Sequence, residues 1–249
     1  MRELDPRRAR VFGATAEDYD RYRPSYPPAA VAWLVPPGAT QVADVGAGTG
    51  KLTGPLVALG LQVAAIEPDP AMLAVLRREH PGAVPYLAGA EALPLPDASV
   101  DAVLAGQAWH WFDHERAVAE VRRVLRPGGV LGLAWNGPDP RDLWEYDLAR
   151  LDPDTGGHDF VADPAAEPMT VPGLPAAELE EANFPWLREI DGPRLRGRLL
   201  THSAFVVLPP AERDALIDSM VAVVTAEAER QGTPTVRLRQ SAHCVRWRP

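Results

Sequence analysis

VADVGAGTGKLT, from Val42 to Thr53, reads as a strand that runs into a glycine turn and then opens a helix. Val42, Ala43 and Val45 are small or β-branched, as a buried strand requires. Gly46, Gly48 and Gly50 follow at alternate positions, and glycine admits positive φ and lets a ligand approach the backbone. After Lys51 the apolar residues Leu52, Leu56, Val57 and Leu59 take up a helical spacing. Such a turn presents free N–H groups at a helix start and suits a small ligand.

Three ligand classes use turns of this kind. A P-loop needs Ser or Thr after Gly-Lys. Here Leu52 follows Gly50-Lys51, so the metal-binding hydroxyl is missing. A dinucleotide turn needs its third glycine one position later than Gly50. The reading that remains is S-adenosylmethionine (SAM), because Asp44 ends the strand two positions before the first glycine. A carboxylate there welcomes an ammonium and a sulfonium and repels a pyrophosphate. A second strand beginning at Leu61 ends in Glu67, 23 positions after Asp44, where an acid accepts hydrogen bonds from ribose hydroxyls.

With these two signals in place the chain resembles the class I SAM-dependent methyltransferases. The resemblance rests on DVGAGTG, AIEPDPAML, GAEALPLPDASVDAV and VRRVLRPGGVLGLAW, which span roughly residues 40 to 136. It is nearest to the small-molecule group with the quinone C-methyltransferases and aconitate methyltransferases. It implies an α/β fold: a Rossmann-like, doubly wound, seven-stranded sheet, mostly parallel with an antiparallel strand 7, and a lid inserted between strands 5 and 6. The expected organisation is one methyltransferase domain over 1–249. It comprises a helical cap at 1–40, a SAM-binding core at 41–136, a variable acceptor region at 137–185, and C-terminal strands and helix at 186–249.

The resemblance also implies site residues. Asp44, Gly46, Ala47, Gly48, Glu67, Pro68, Ala90, Gln107, Ala108 and Trp109 are placed around SAM, with S-adenosylhomocysteine as product. Met72 packs on the adenine or is plain core. Glu91 lies near the exocyclic amine or is a solvated loop charge. In the segment YDRYRPSYP, Tyr19, Arg23 and Tyr26 either fold over the cofactor or staple the first helices to the core. Arg23 suits the SAM carboxylate because a guanidinium meets it bidentately.

Strand 4, Val100 to Ala105, leads into Gly106-Gln107-Ala108-Trp109-His110-Trp111-Phe112-Asp113. Ligands of doubly wound sheets bind beyond the carboxyl ends of the strands, so these aromatics are expected as a wall beside the sulfonium. His110 is the candidate general base, with a positioning role as its alternative. Asp113 is an expected N-cap, and Arg126-Pro127-Gly128-Gly129 the turn into strand 5, Val130 to Trp135. Trp111 and, within the acceptor region, Trp144, Tyr146, His158 and Phe160 are candidate substrate contacts. Strand 6 is expected at Trp186–Asp191, a helix at Arg194–Ser203, a long helix at Ala211–Arg230 and strand 7 at Thr235–Trp247.

Composition narrows the partners. A net charge of −9 is unlike a nucleic-acid footprint, which requires a basic stripe. The single cysteine, Cys244, forms no disulfide within the chain, and a reducing, cytoplasmic home is expected. No apolar run has the length of a membrane span, and MRELDPRRARVFG is too polar for a signal peptide. A monomer or homodimer, a small-molecule methyl acceptor and no metal complete the expectation. Two other functions use the same fold: a non-methylating cyclisation or rearrangement, and SAM binding without catalysis.

Overall fold

The computed structural model describes residues 15–153 and 170–249. His158 and Phe160 therefore lie outside the described residues. Seven strands form one sheet in the order β3-β2-β1-β4-β5-β7-β6, with β7 antiparallel. They are β1 Gln41–Val45, β2 Gln62–Glu67, β3 Val84–Leu87, β4 Val100–Gly106, β5 Leu125–Pro138, β6 Leu179–Ile190 and β7 Val236–Trp247. Strand β1 pairs in parallel with β2 on one side and β4 on the other, so Asp44 stands between Ala65 and Leu104. The chain walks outward from β1 to β3 and then returns to the far side of β1. That reversal is the topological switch point at which such sheets bind ligands.

The chain divides into two compact units. The larger holds residues 24–136, 167–184 and 242–249 as far as they are described. Its strands alternate between two cores, as a sheet covered on both faces requires. Val45, Val103 and Leu131 belong to one, with Ala117, Val121 and Val124 of helix α5 (His114–Val124); Val42, Ala102 and Leu104 belong to the other, with Ala30, Val31 and Leu34 of helix α2 (Pro28–Leu34). Helices α3 (Thr53–Ala58) and α4 (Pro70–Glu79) follow β1 and β2.

The smaller unit holds residues 1–23, 137–166 and 185–241 as far as they are described. Helices α1 (Ala16–Tyr22), α6 (Leu143–Arg150), α7 (Gly192–Leu200), α8 (Ser203–Val206) and α9 (Pro210–Gln231) lie in it. Leu148, Ile190, Leu195, Phe205, Ile217 and Val224 build its core. Glu145 is its polar anchor. This buried carboxylate accepts from the backbone N–H groups of Arg141 (2.8 Å), Asp142 (3.2 Å) and Arg239 (2.8 Å), and from Arg239 Nη1 (3.0 Å). Arg239 is half-buried, but losing the carboxylate strands three backbone N–H groups at about 1 kcal/mol or more each, so Glu145→Ala is expected to lower denaturant-unfolding stability by about 3 kcal/mol. A loss below about 1 kcal/mol in urea titration would show that the anchor is dispensable.

Three element boundaries differ from expectation. Strand β5 starts at Leu125, and the Arg126-Pro-Gly-Gly turn becomes an irregularity in the β4–β5 ladder, where partners jump from Val100↔Leu125 to Ala102↔Val130. Strand β6 starts at Leu179 instead of Trp186. Pro185 masked it in the sequence, but β6 is the edge of the sheet, where a missing N–H is tolerated. The helix expected at Arg194–Ser203 breaks into α7 and α8. Its true N-cap is Asp191, whose Oδ1 accepts from Arg194 N–H at 2.7 Å.

Candidate active site

The glycine turn is fixed from below. The N–H groups of Gly46 and Ala47 both donate to Ile66 O, at 2.9 and 3.0 Å, and Gly50 N–H donates to Ala47 O. Gly46, Gly48 and Gly50 have φ of +69°, +57° and +93°, so the alternation of glycines reflects three left-handed residues. Glu67, at the carboxyl end of β2, accepts from Gly48 N–H at 2.8 Å and from Asp69 N–H at 2.9 Å. It thereby ties the turn to the start of α4. Asp69 caps α4 by accepting from Ala71 and Met72 N–H, and the Met72 methyl lies 3.7 Å from where a Gly48 side chain would begin.

Asp44 is fully buried. Its Oδ2 accepts the Thr53 hydroxyl at 2.6 Å, while its Oδ1 has no partner among the described residues. Burial, reinforced by the Glu67 charge, pushes the Asp44 carboxyl up to about 7 against the Thr53 hydrogen bond. Burial also raises the Glu67 carboxyl, opposed by the two N–H donors. Two neighbouring carboxyls in one desolvated turn exclude a phosphate. They fit a ligand that brings a cation and hydroxyl donors, and the open acceptor on Asp44 is where such a ligand lowers the cost of burial.

The loop after β4 closes on this turn. A Cβ on Gly46 would fall 2.5 Å from Ala108 Cβ and 3.2 Å from Phe112 Cζ. Gln107 has a positive φ, +56°, an uncommon state for a side-chain-bearing residue and one that marks functional sites. Its N–H donates to Ala134 O and its Nε2 to Asn136 O, both at 2.8 Å. Tyr26 is buried with its hydroxyl against Gly106.

Trp109 points inward. It is 2% exposed and donates Nε1–H to Pro172 O at 3.1 Å. The half-buried part of the aromatic segment is therefore His110, Trp111 and Phe112, and the His110 and Trp111 rings lie 4.8 Å apart. Glu91 Oε1 accepts the Asp113 N–H at 3.0 Å and so bridges the loop after β3 to the start of α5, with buried Ala90 beside it.

The sheet thus gathers Tyr26, Asp44, Gly46, Ala47, Gly48, Glu67, Pro68, Met72, Ala90, Glu91 and Gln107–Trp111 around the switch point of the larger unit. Tyr19, Arg23, Trp144 and Tyr146 belong to the smaller one. There Arg23 donates to Thr201 Oγ1 (3.2 Å) and Thr201 O (3.1 Å) and sits over the Tyr19 ring, and Trp144 packs on the unit's core. The sequence reading missed Asn136. It lies near the carboxyl end of β5, holds Ser25 O through Nδ2 at 3.2 Å, and leaves a buried Oδ1 without a partner among the described residues. Its place at the carboxyl end of a central strand was the available signal.

Fold and turn together define a class I SAM-dependent methyltransferase, and the chain belongs to that family. A methyltransferase-domain profile matches residues 43–133. An uncharacterized methyltransferase of Mycobacterium tuberculosis is 40% identical over 235 residues, 94% of each chain. One of Schizosaccharomyces pombe is 31% identical over 233 residues, 91% of this chain and 92% of that one. Malonyl-[acyl-carrier protein] O-methyltransferase of Methylococcus capsulatus is 40% identical over 138 residues, about half of each chain. A solved structure assigned to a type II methyltransferase of Anaeromyxobacter dehalogenans superposes with a TM-score of 0.66 at 29% identity, over 90% of this chain and 97% of that one. The family and fold imply SAM as cofactor.

Proposed function

We propose that the chain transfers a methyl group from SAM to a small-molecule acceptor by in-line displacement. The observation that carries this reading is the pair of buried carboxyls, Asp44 and Glu67, beside three left-handed glycines at the switch point. SAM, when bound, supplies a methyl carbon activated by its sulfonium leaving group. Asp44 meets the ligand's cationic end. Glu67 has a lone pair free on each oxygen beyond its backbone donors and receives ribose hydroxyls. Met72 and Ala90 give the adenine apolar cover, and the Gln107–Trp111 segment shapes the acceptor's approach, where positioning and exclusion of water supply most of the rate. The match to an O-methyltransferase makes oxygen the acceptor atom to screen first. Among the described residues no helix is long and apolar enough to cross a membrane.

Isothermal titration tests the reading. SAM and S-adenosylhomocysteine are both expected to bind in the micromolar range, and no binding of either would remove it. His110 takes the acceptor's proton in this scheme. His110→Ala is expected to lower kcat about 100-fold and to leave S-adenosylhomocysteine affinity within twofold of wild type. Wild-type turnover by that variant from pH 5.5 to 8 would exclude it as the base.

A further inference from the structure

The smaller unit carries a cluster of hydrogen-bond donors that nothing above uses. Arg188, on β6, donates Nη2 to Tyr22 O at 2.6 Å, but its buried Nη1 has no partner among the described residues. Trp186, two positions earlier and so on the same face of the strand, has a buried Nε1–H that is equally unpartnered. Arg198, on α7, has a buried Nε without a partner. It lines a cleft with Leu148, Asp152, Leu195, Met220 and Gln240, and Gln240 is buried with its Oε1 unpartnered. Tyr22 packs against Gly197, which fixes the end of α1 and the Arg23 guanidinium beside α7.

These guanidinium groups act on one another. Burial, then the Arg23 and Arg188 charges, pushes Arg198 down to about 9, with Asp152 pulling the other way more weakly. Burial and the charges of Arg23 and Arg194 lower Arg188 as well. Buried charges are normally paired. Here like charges are drawn together, and among the described residues no carboxylate hydrogen-bonds either Arg188 or Arg198. Nearly every unsatisfied atom is a donor, and two of the three donor side chains are cationic. The complement is a ligand that only accepts and carries negative charge.

We propose that Trp186, Arg188 and Arg198 form a site within the smaller unit that binds an oxyanion, a carboxylate or a phosphate. The geometry of guanidinium forks suits either group. The anion site does not rest on the methyltransferase reading.

The test is isothermal titration of the full chain, saturated with S-adenosylhomocysteine, with citrate, succinate and inorganic phosphate as separate probes. At least one probe is expected to bind saturably at millimolar Kd or tighter. Preference for the carboxylates marks a carboxylic-acid ligand, and preference for phosphate a phosphorylated one. Arg188→Leu and Arg198→Leu are each expected to weaken that probe at least tenfold and to keep S-adenosylhomocysteine affinity within twofold. Each variant removes an incompletely paired buried charge, so the ligand-free Tm is expected not to fall. Trp186→Phe, which deletes only the N–H in a similar volume, is expected to weaken the probe about threefold.

No saturable binding of any probe to the wild type overturns the proposal, as does wild-type probe affinity in all three variants. A parallel loss of S-adenosylhomocysteine affinity also overturns it, since the cluster would then serve the cofactor's own carboxylate. Anion binding by a chain that fails to bind S-adenosylhomocysteine would instead leave the site standing and remove the methyltransferase reading.

Discussion

Asp44→Asn is expected to lose S-adenosylhomocysteine binding by more than 100-fold and yet to melt at a higher temperature than the wild type when both are free of ligand at pH 8. The two effects have one origin. The Asp44 carboxyl is fully buried and held near 7 by desolvation, above its ordinary value of 3.8. A carboxyl whose folded pKa is raised makes no difference below pH 3.8, because both states hold the proton. Stability falls as pH climbs from 3.8 to about 7, because only the unfolded state releases it freely; above that the penalty is constant. Roughly three pKa units at 1.36 kcal/mol each give a penalty of about 4 kcal/mol. The amide keeps an acceptor for the Thr53 hydroxyl and never ionises. The difference in Tm between variant and wild type is therefore expected to be near zero at pH 4 and to reach its maximum above pH 7. Ligand reverses the order. A cofactor at 100 times its Kd stabilises the wild type by about 2.7 kcal/mol, and the variant, unable to answer the cationic end, gains almost nothing. A variant that binds S-adenosylhomocysteine normally would disprove the role of Asp44. A variant whose Tm tracks the wild type across pH would mean that the carboxyl titrates without strain.

The larger unit was legible because its signals are local. A strand, three glycines and a helix occupy consecutive residues, and the acid at Glu67 falls one βα unit later. Gly46, Glu67 and Met72 converge because a parallel sheet brings successive strand ends side by side. What the sequence concealed depends on contacts between distant residues. Glu145 and Arg239, 94 positions apart, read as ordinary surface charges until folding buries the carboxylate. Arg23 and Thr201 meet across 178 positions. Arg188 alternates along an edge strand and Arg198 follows a helical polar face, so each looks solvated from its neighbours alone. Trp109, expected from sequence in an aromatic wall beside the sulfonium, fills the core, where its N–H finds Pro172 O, a contact across 63 positions that no local pattern announces. Nor does any pattern of residue types announce that Gln107 takes a left-handed backbone.

Gly48 and Gly46 separate what the turn needs to fold from what it needs to bind. Both have positive φ, which costs an alanine about 1 kcal/mol. At Gly46 the added methyl would also meet Ala108 Cβ at 2.5 Å and Phe112 at 3.2 Å, and overpacking of that kind costs about 1–3 kcal/mol more. At Gly48 the nearest atom is the Met72 methyl at 3.7 Å, an ordinary contact. A methyl there meets nothing closer than Met72 among the described residues. Gly46→Ala is accordingly expected to lose about 2–4 kcal/mol of stability. Gly48→Ala is expected to lose only about 1 kcal/mol, yet to weaken S-adenosylhomocysteine at least tenfold, because its methyl takes the volume through which the ligand approaches the Gly48 backbone. Urea unfolding and calorimetric titration of the two variants give the comparison. Undiminished affinity in Gly48→Ala would mean that the cofactor does not lie on this turn, since among the described residues no packing contact requires glycine at position 48.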